Sequence, residues 1–107
     1  MSNSKAMTKP AAPDWSVYLI RCGDGSLYTG IATDVARRLE QHTASDGKGA
    51  KYLRGRGPLE VVLQHAVGGR GLALRVEGRI KKLPRAEKEL LVAGTRGVEP
   101  IVASARD

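Results

Sequence analysis

Five side chains in this sequence have the types and spacing to do chemistry together: Tyr18, Tyr28, Arg38, His42 and Glu77. Two phenols, a guanidinium, an imidazole and a carboxylate cover the needs of phosphodiester hydrolysis. That reaction takes an activated water, a fixed cation against developing charge, and usually a metal held by carboxylate. Other chemistries lack residues. One cysteine, Cys22, and two histidines, His42 and His65, cannot supply a structural zinc set. There is no phosphate-binding P-loop, and no Ser-His-acid arrangement can be argued.

The elements that must position these groups follow from the pattern. Residues 15–22 alternate and favour a strand, with Val17 and Leu19 on one face and Tyr18, Ile20 and Cys22 on the other. Gly23-Asp24-Gly25-Ser26 is a turn, and residues 27–32 return as a second strand. A two-residue turn would split the tyrosines across the sheet. An odd-length loop or a bulge would unite Tyr18 and Tyr28 on one face, and this arrangement is expected.

Thr33 or Asp34 caps a helix over residues 34–43, with Val35 and Leu39 as its apolar stripe. Arg38 and His42 are four apart and share a face. Taken singly, each reads as an ordinary solvated helix residue. Residues 59–66 form the third strand. Residues 70–83 form a helix in which Leu72, Ala73, Leu74, Val76, Ile80 and Leu83 sweep a broad apolar arc. Glu77 falls inside that arc and therefore needs a partner, either a structural pair with Arg38 or a lysine, or a bound cation. Pro84 starts a last helix over 84–93, stopped by Gly94. The resulting class is α+β, a small three-stranded antiparallel sheet flanked by helices in the order β-β-α-β-α-α. Residues 1–14 read as a disordered leader and 94–107 as a loose C-terminal tail, leaving 15–93 as the single domain.

The chain has 107 residues and a formal net charge of +7. That balance favours a polyanionic partner, nucleic acid above all. Lys48, Lys51, Arg54 and Arg56 follow one another with no acid among them, in a Gly-rich loop whose backbone can approach phosphate closely. A basic helix carrying Arg75 and Arg79 extends the expected nucleic-acid surface. A single cysteine fits a reducing compartment, and no apolar run reaches the ~18 residues of a membrane span. The expected location is cytoplasmic, with no membrane partner.

The order Ser16-Val17-Tyr18, Tyr28-Thr29-Gly30, Arg38, His42 and Glu77 resembles the GIY-YIG nuclease superfamily, especially its small single-domain bacterial members. The likeness covers nearly all of residues 15–93. Gly49-Ala50-Lys51 and the run from Arg54 to Pro58 are also similar to the nuclease subunit of eukaryotic structure-specific endonucleases. The resemblance implies the GIY-YIG fold and a metal-dependent endonuclease acting on DNA, including branched or flapped structures, in repair or recombination. It implies one Mg²⁺ or Mn²⁺ on Glu77, Tyr28 as the general base or its proton relay, and Arg38 on the scissile phosphate. Tyr18 and His42 would position water, phosphate or proton. Ser16 stands in place of the motif glycine, Ile31 replaces the lysine of excision-repair members, and the C-terminal asparagine of several members is absent. No separate DNA-binding domain is attached, so specificity comes from the nuclease domain or from a protein partner. The alternative is a non-catalytic module binding DNA or RNA on the same fold. A small protein-interaction domain is a weaker third reading.

Overall fold

The computed structural model describes residues 14–43 and 56–106. Three strands, β1 (Trp15–Arg21), β2 (Leu27–Ala32) and β3 (Glu60–Gly68), form an antiparallel sheet in the order β2-β1-β3. Among the described residues four helices surround it: α1 (Val35–Thr43), α2 (Arg70–Lys81), α3 (Arg85–Ala93) and α4 (Glu99–Arg106).

The central strand β1 is covered on both faces, which is why it reads as a nearly continuous apolar run. Val17 and Leu19 belong to the larger core, with Ala73, Val76 and Ile80 of α2, Leu91 of α3, and Ile101, Val102 and Ala105 of α4. Tyr18, Ile20 and Cys22 belong to a second cluster, with Ala32, Val35 and the partly buried Tyr28 and Leu39. The alternation along β1 therefore sends site residues one way and the main core the other.

A five-residue loop from Cys22 to Ser26 separates the paired residues Arg21 and Leu27. Gly25 takes the left-handed conformation the turn requires, at φ 88°. Asp24 accepts hydrogen bonds from the Ser26 amide at 3.0 Å and the Ser26 hydroxyl at 2.6 Å, which locks the turn. The odd loop length pairs Tyr18 with Gly30 and Ile20 with Tyr28, so both tyrosines share one face, as expected.

β3 pairs with β1 through two irregularities. Leu19 faces Leu63 while Ile20 faces Val61, which leaves Val62 extra; Ser16 faces Ala66 while Trp15 faces Gly68, which leaves Val67 extra. The strand runs two residues beyond the expected Ala66, because Val67 turns into the core and is buried there.

Helix α2 stops at Lys81, two residues before the expected end. Leu83 precedes Pro84, whose ring disfavours helical geometry in the residue before it. Pro84 then caps α3, and Gly94 ends that helix in the left-handed conformation at φ 80°. The amides of Thr95 and Arg96 bond back to the Leu90 carbonyl, at 3.0 and 3.1 Å.

The loose tail expected after Gly94 is corrected by α4. Val98, Ile101, Val102 and Ala105 recur at helical spacing and are all buried in the main core. Two ionic contacts tie the periphery together. Arg21 at the end of β1 meets Glu89 of α3 through two hydrogen bonds of 2.7 Å. Arg85 reaches the same carboxylate at 3.3 Å and the Gly25 carbonyl at 2.6 Å. The Arg21 guanidinium, and Arg85 after it, hold the Glu89 carboxyl far below the usual range, at about 2.

Candidate active site

The site grows from the middle of the hairpin. Tyr18 sits on β1 with 1% of its surface exposed, directly across from Gly30 of β2. A Cβ at position 30 would lie 2.5 Å from the Tyr18 hydroxyl oxygen and 2.6 Å from Cζ. Gly30 is therefore glycine for space: the phenol lies flat over its backbone. Tyr28, two residue pairs further along the ladder, is half-buried on the same face.

Helix α1 brings the nitrogen groups to that face. Asp34 starts it, its carboxylate accepting the Arg37 amide at 3.1 Å. His42 lies two turns later, 6% exposed. Its Nε2 is 3.2 Å from the Tyr18 hydroxyl. Its ring meets Tyr28 edge-on, with centroids 5.7 Å apart at 75°. His42 is thus wedged between the two phenols, not on a solvated face. Arg38 lies one turn earlier. Its Nη1 donates to Gln41 Oε1 at 2.9 Å, which steadies the guanidinium.

The electrostatics fix protonation states. Burial raises the Tyr18 phenol above its ordinary value, and Tyr28 adds to this; hydrogen bonding to Arg38 and its charge act the other way, and Glu77 again raises it. Burial, then the Arg38 charge, lowers His42 below the usual imidazole value. At neutral pH Tyr18 is therefore a protonated phenol beside a neutral imidazole. A phenol that donates to Nε2 requires the ring proton on Nδ1.

Glu77 comes from α2 and is the more remote member. Its side chain is 17% exposed, and Oε2 is 3.3 Å from Lys81 Nζ, one helical turn on. The lysine pair anticipated for an acid on the apolar arc is thus present, while the Glu77 charge still reaches Tyr18. Among the described residues no group of three or more His, Cys, Asp or Glu side chains is placed to share a metal.

Beside Arg38 opens a groove of about 440 Å³, lined by Trp15, Ile31, Thr33, Arg37, Gln41 and Arg70 among others. Arg70 stacks over Trp15, 5.6 Å from the ring centroid. Gln41, Arg37, Arg70 and Trp15 were not legible as site residues. The available signal was the i, i+4 pair Arg37 and Gln41 flanking Arg38 on one short helix.

The expected basic surface divides. Lys48, Lys51 and Arg54 lie outside the described residues. Arg56 pairs with Asp24 at 2.6 Å, and its carbonyl accepts the Gly23 amide at 2.7 Å, so it docks its loop onto the hairpin turn. Arg75 and Arg79 lie two residues either side of Glu77, which at ~100° per residue sends them to the opposite side of α2. They line a separate groove with α4. No helix among the described residues is long and apolar enough to cross a membrane.

The chain is similar to known proteins over most of its length. A UPF0213 protein of Klebsiella pneumoniae is 54% identical over 93 residues, covering 87% of this chain and 86% of its own. The UPF0213 protein YhbQ of Escherichia coli is 52% identical over 90 residues, covering 84% of this chain and 88% of its own. The solution NMR structure of UPF0213 protein BH0048 from Bacillus halodurans is 48% identical, covering 75% of this chain and 83% of that one, with a TM-score of 0.48. Residues 14–90 match the GIY-YIG catalytic domain, a span that holds Tyr18, Tyr28, Arg38, His42 and Glu77. The chain belongs to the GIY-YIG family.

Proposed function

We propose that this protein is a metal-dependent endonuclease that hydrolyses DNA phosphodiester bonds, with branched or flapped DNA as its substrate in repair or recombination. The observation that carries the reading is the buried Tyr18–His42 pair at 3.2 Å, with Tyr28 against the same imidazole and the Arg38 groove alongside. A hydrogen-bonded phenol and imidazole beside a steadied guanidinium suit an anionic ester attacked by water.

Arg38 binds the scissile phosphate and meets the charge that develops on it. Tyr28 lies nearer the surface than Tyr18 and acts as the general base or its proton relay, giving up its own phenolic proton to bulk water as it accepts one from the attacking water. His42 orients the Tyr28 ring, and Tyr18, held protonated, holds His42 in one tautomer. Glu77 would carry Mg²⁺ or Mn²⁺. A lone carboxylate fits a magnesium ion, which keeps several waters and often takes one or two protein carboxylates. When bound, such an ion supplies positive charge to the phosphate oxygens and the leaving group. Lys81 is its competitor for the Glu77 oxygens.

That same ion pair favours a second reading, a nucleic-acid-binding module that keeps the phosphate site without cutting. The deciding experiment is product formation on a panel of duplex, flapped and four-way-junction DNA, with Mg²⁺ or Mn²⁺ against chelator. Cleavage by the wild type that Glu77→Gln abolishes, with folding intact, supports the nuclease. Full activity of Glu77→Gln refutes the metal assignment. A wild type that binds the panel but cuts none of it selects the module.

A further inference from the structure

The structure carries a second cationic groove, on the far side of α2 from Glu77. It has a volume of about 610 Å³ and runs between α2 and α4. Arg75, Arg79, Lys82 and Arg96 supply four cations to its lining, which includes no carboxylate. Leu83, Pro100 and Ile101 make an apolar floor, and Ser104 adds a hydroxyl.

The four cations are not equivalent. Arg75 donates its Nε–H to the Ala105 carbonyl at 3.0 Å, which fixes the guanidinium against α4. Arg96 is held by Glu87 at 2.6 Å. Arg79 and Lys82 make no ion pair among the described residues and are exposed. Two anchored guanidiniums thus share the groove with two charges that have no ion-pair partner among the described residues, over an apolar floor. Burial of the main core explains α4 itself, but not why its outward side meets a cluster of one sign. Like charges gathered in one place repel, and a bound polyanion relieves that repulsion. Arg96, Pro100, Ile101 and Ser104 lie beyond the residues matched to the catalytic domain. The α4 side of the groove therefore lies outside the matched span, while Arg75, Arg79, Lys82 and Leu83 lie inside it.

We propose that the α2–α4 groove binds the phosphate backbone of a second nucleic-acid segment, while the Arg38 groove holds the segment to be cut. The body of α2, with side chains ~10–12 Å across, separates Arg75 and Arg79 from Glu77. One straight strand does not follow both sides of a helix. A flap or junction presents two phosphate chains that diverge, and these fit two grooves on opposite sides of one helix. The apolar floor suits the sugars and base faces of an unpaired strand. This inference rests on the nucleic-acid reading of the Arg38 site, but not on cleavage.

The test is binding of the full chain, by fluorescence anisotropy in chelator, to a labelled linear duplex and to a 5′-flapped duplex of the same core sequence. The variants are Arg79→Glu/Lys82→Glu and the milder Arg79→Ala/Lys82→Ala, each checked for an unchanged melting temperature. Loss of two phosphate contacts should weaken flap binding by about ten-fold or more and reduce its salt slope by about two. Linear-duplex affinity should change by less than about three-fold. Equal losses on both DNAs overturn the proposal, because they mark a general electrostatic effect. Unchanged flap binding by both variants also overturns it, as it would if the groove served an acidic protein instead. Cleavage is scored separately: a wild type that cuts flaps with no differential loss in the variants refutes the second groove alone. Differential loss without any cutting supports the groove and refutes the nuclease.

Discussion

Gly30→Ala puts one methyl group under the Tyr18 ring. The added Cβ would lie 2.5 Å from the hydroxyl oxygen and 2.6 Å from Cζ, well inside contact distance. Neither partner can step aside. Tyr18 is 1% exposed and tied to His42, and the pairing of Tyr18 with Gly30 is set by ladder positions on both sides. Overpacking of this kind costs ~1–3 kcal/mol. An opposing gain of ~0.4–1 kcal/mol comes from stiffening the unfolded chain. Contacts as short as 2.5 and 2.6 Å put the cost in the upper half of that range, so the net loss should be ~1–2.5 kcal/mol, or a fall in melting temperature of roughly 4–20 °C for a domain this small. Urea or thermal unfolding reads it directly. A double-mutant cycle isolates the cause. Tyr18→Ala is itself destabilising, but in that background the extra methyl meets empty space, and Gly30→Ala should become neutral or slightly stabilising. An equal cost of Gly30→Ala in both backgrounds would refute the steric account. So would a variant as stable as the parent in the presence of Tyr18.

Three further predictions follow from named contacts. Glu89 has a folded pKa of about 2 against an ordinary 4.5, so the unfolded chain binds its proton first as the pH falls. Its stabilising effect is full above about 4.5 and is lost toward about 2, and Glu89→Gln should flatten that part of a pH–stability curve measured by urea unfolding. His42 is likewise depressed below 6.5, so stability should decline as pH falls below that value. Following the His42 ring signals by NMR titration checks this; a midpoint above 6.5 contradicts the burial argument. On any DNA that the wild type cuts, Arg38→Ala should lower the rate by roughly 10²–10³-fold, or ~3–4 kcal/mol. Gln41→Ala, which releases Arg38 and removes one amide from the groove lining, should lower it less, and single-turnover rates on that DNA separate the two.

Alternation made the hairpin legible. The two faces of β1 were readable because side chains alternate by simple geometry, and the register was readable as far as an odd loop or a bulge, of which the hairpin uses the odd loop. The boundaries of β3 and α2 were less so. Val67 is drawn into the core by contacts from helices that a local window does not contain. The turn ahead of Pro84 ends α2 through a restriction on Leu83 that competes with its apolar periodicity. Helix α4 was missed because Gly97 and Pro100 look like breakers. Yet a proline in the first helical turn removes an amide that has no intrahelical acceptor, and the spacing of Val98, Ile101, Val102 and Ala105 held the true signal. At the site, sequence order pointed to two strands and a helix whose Tyr18, Tyr28 and His42 the fold brings together. It did not show that His42 is buried between two phenols, that Glu77 faces Lys81, or that Arg75 and Arg79 belong to another surface.

The two extra residues in β3 bear on how the molecule behaves in a crowded solution. Among the described residues, β3 has β1 on one side and no strand on the other. A straight nine-residue edge would offer its free amides and carbonyls to any passing strand, including the same edge of a second molecule. The bulges at Val62 and Val67 interrupt the hydrogen-bonding rhythm twice within that length and increase its local twist. A neighbour attempting to zip along the edge would lose register after a few residues. Deleting either residue would remove a side chain that packs in or against the main core as well as regularise the sheet, so a longer sticky border would come together with lost stability.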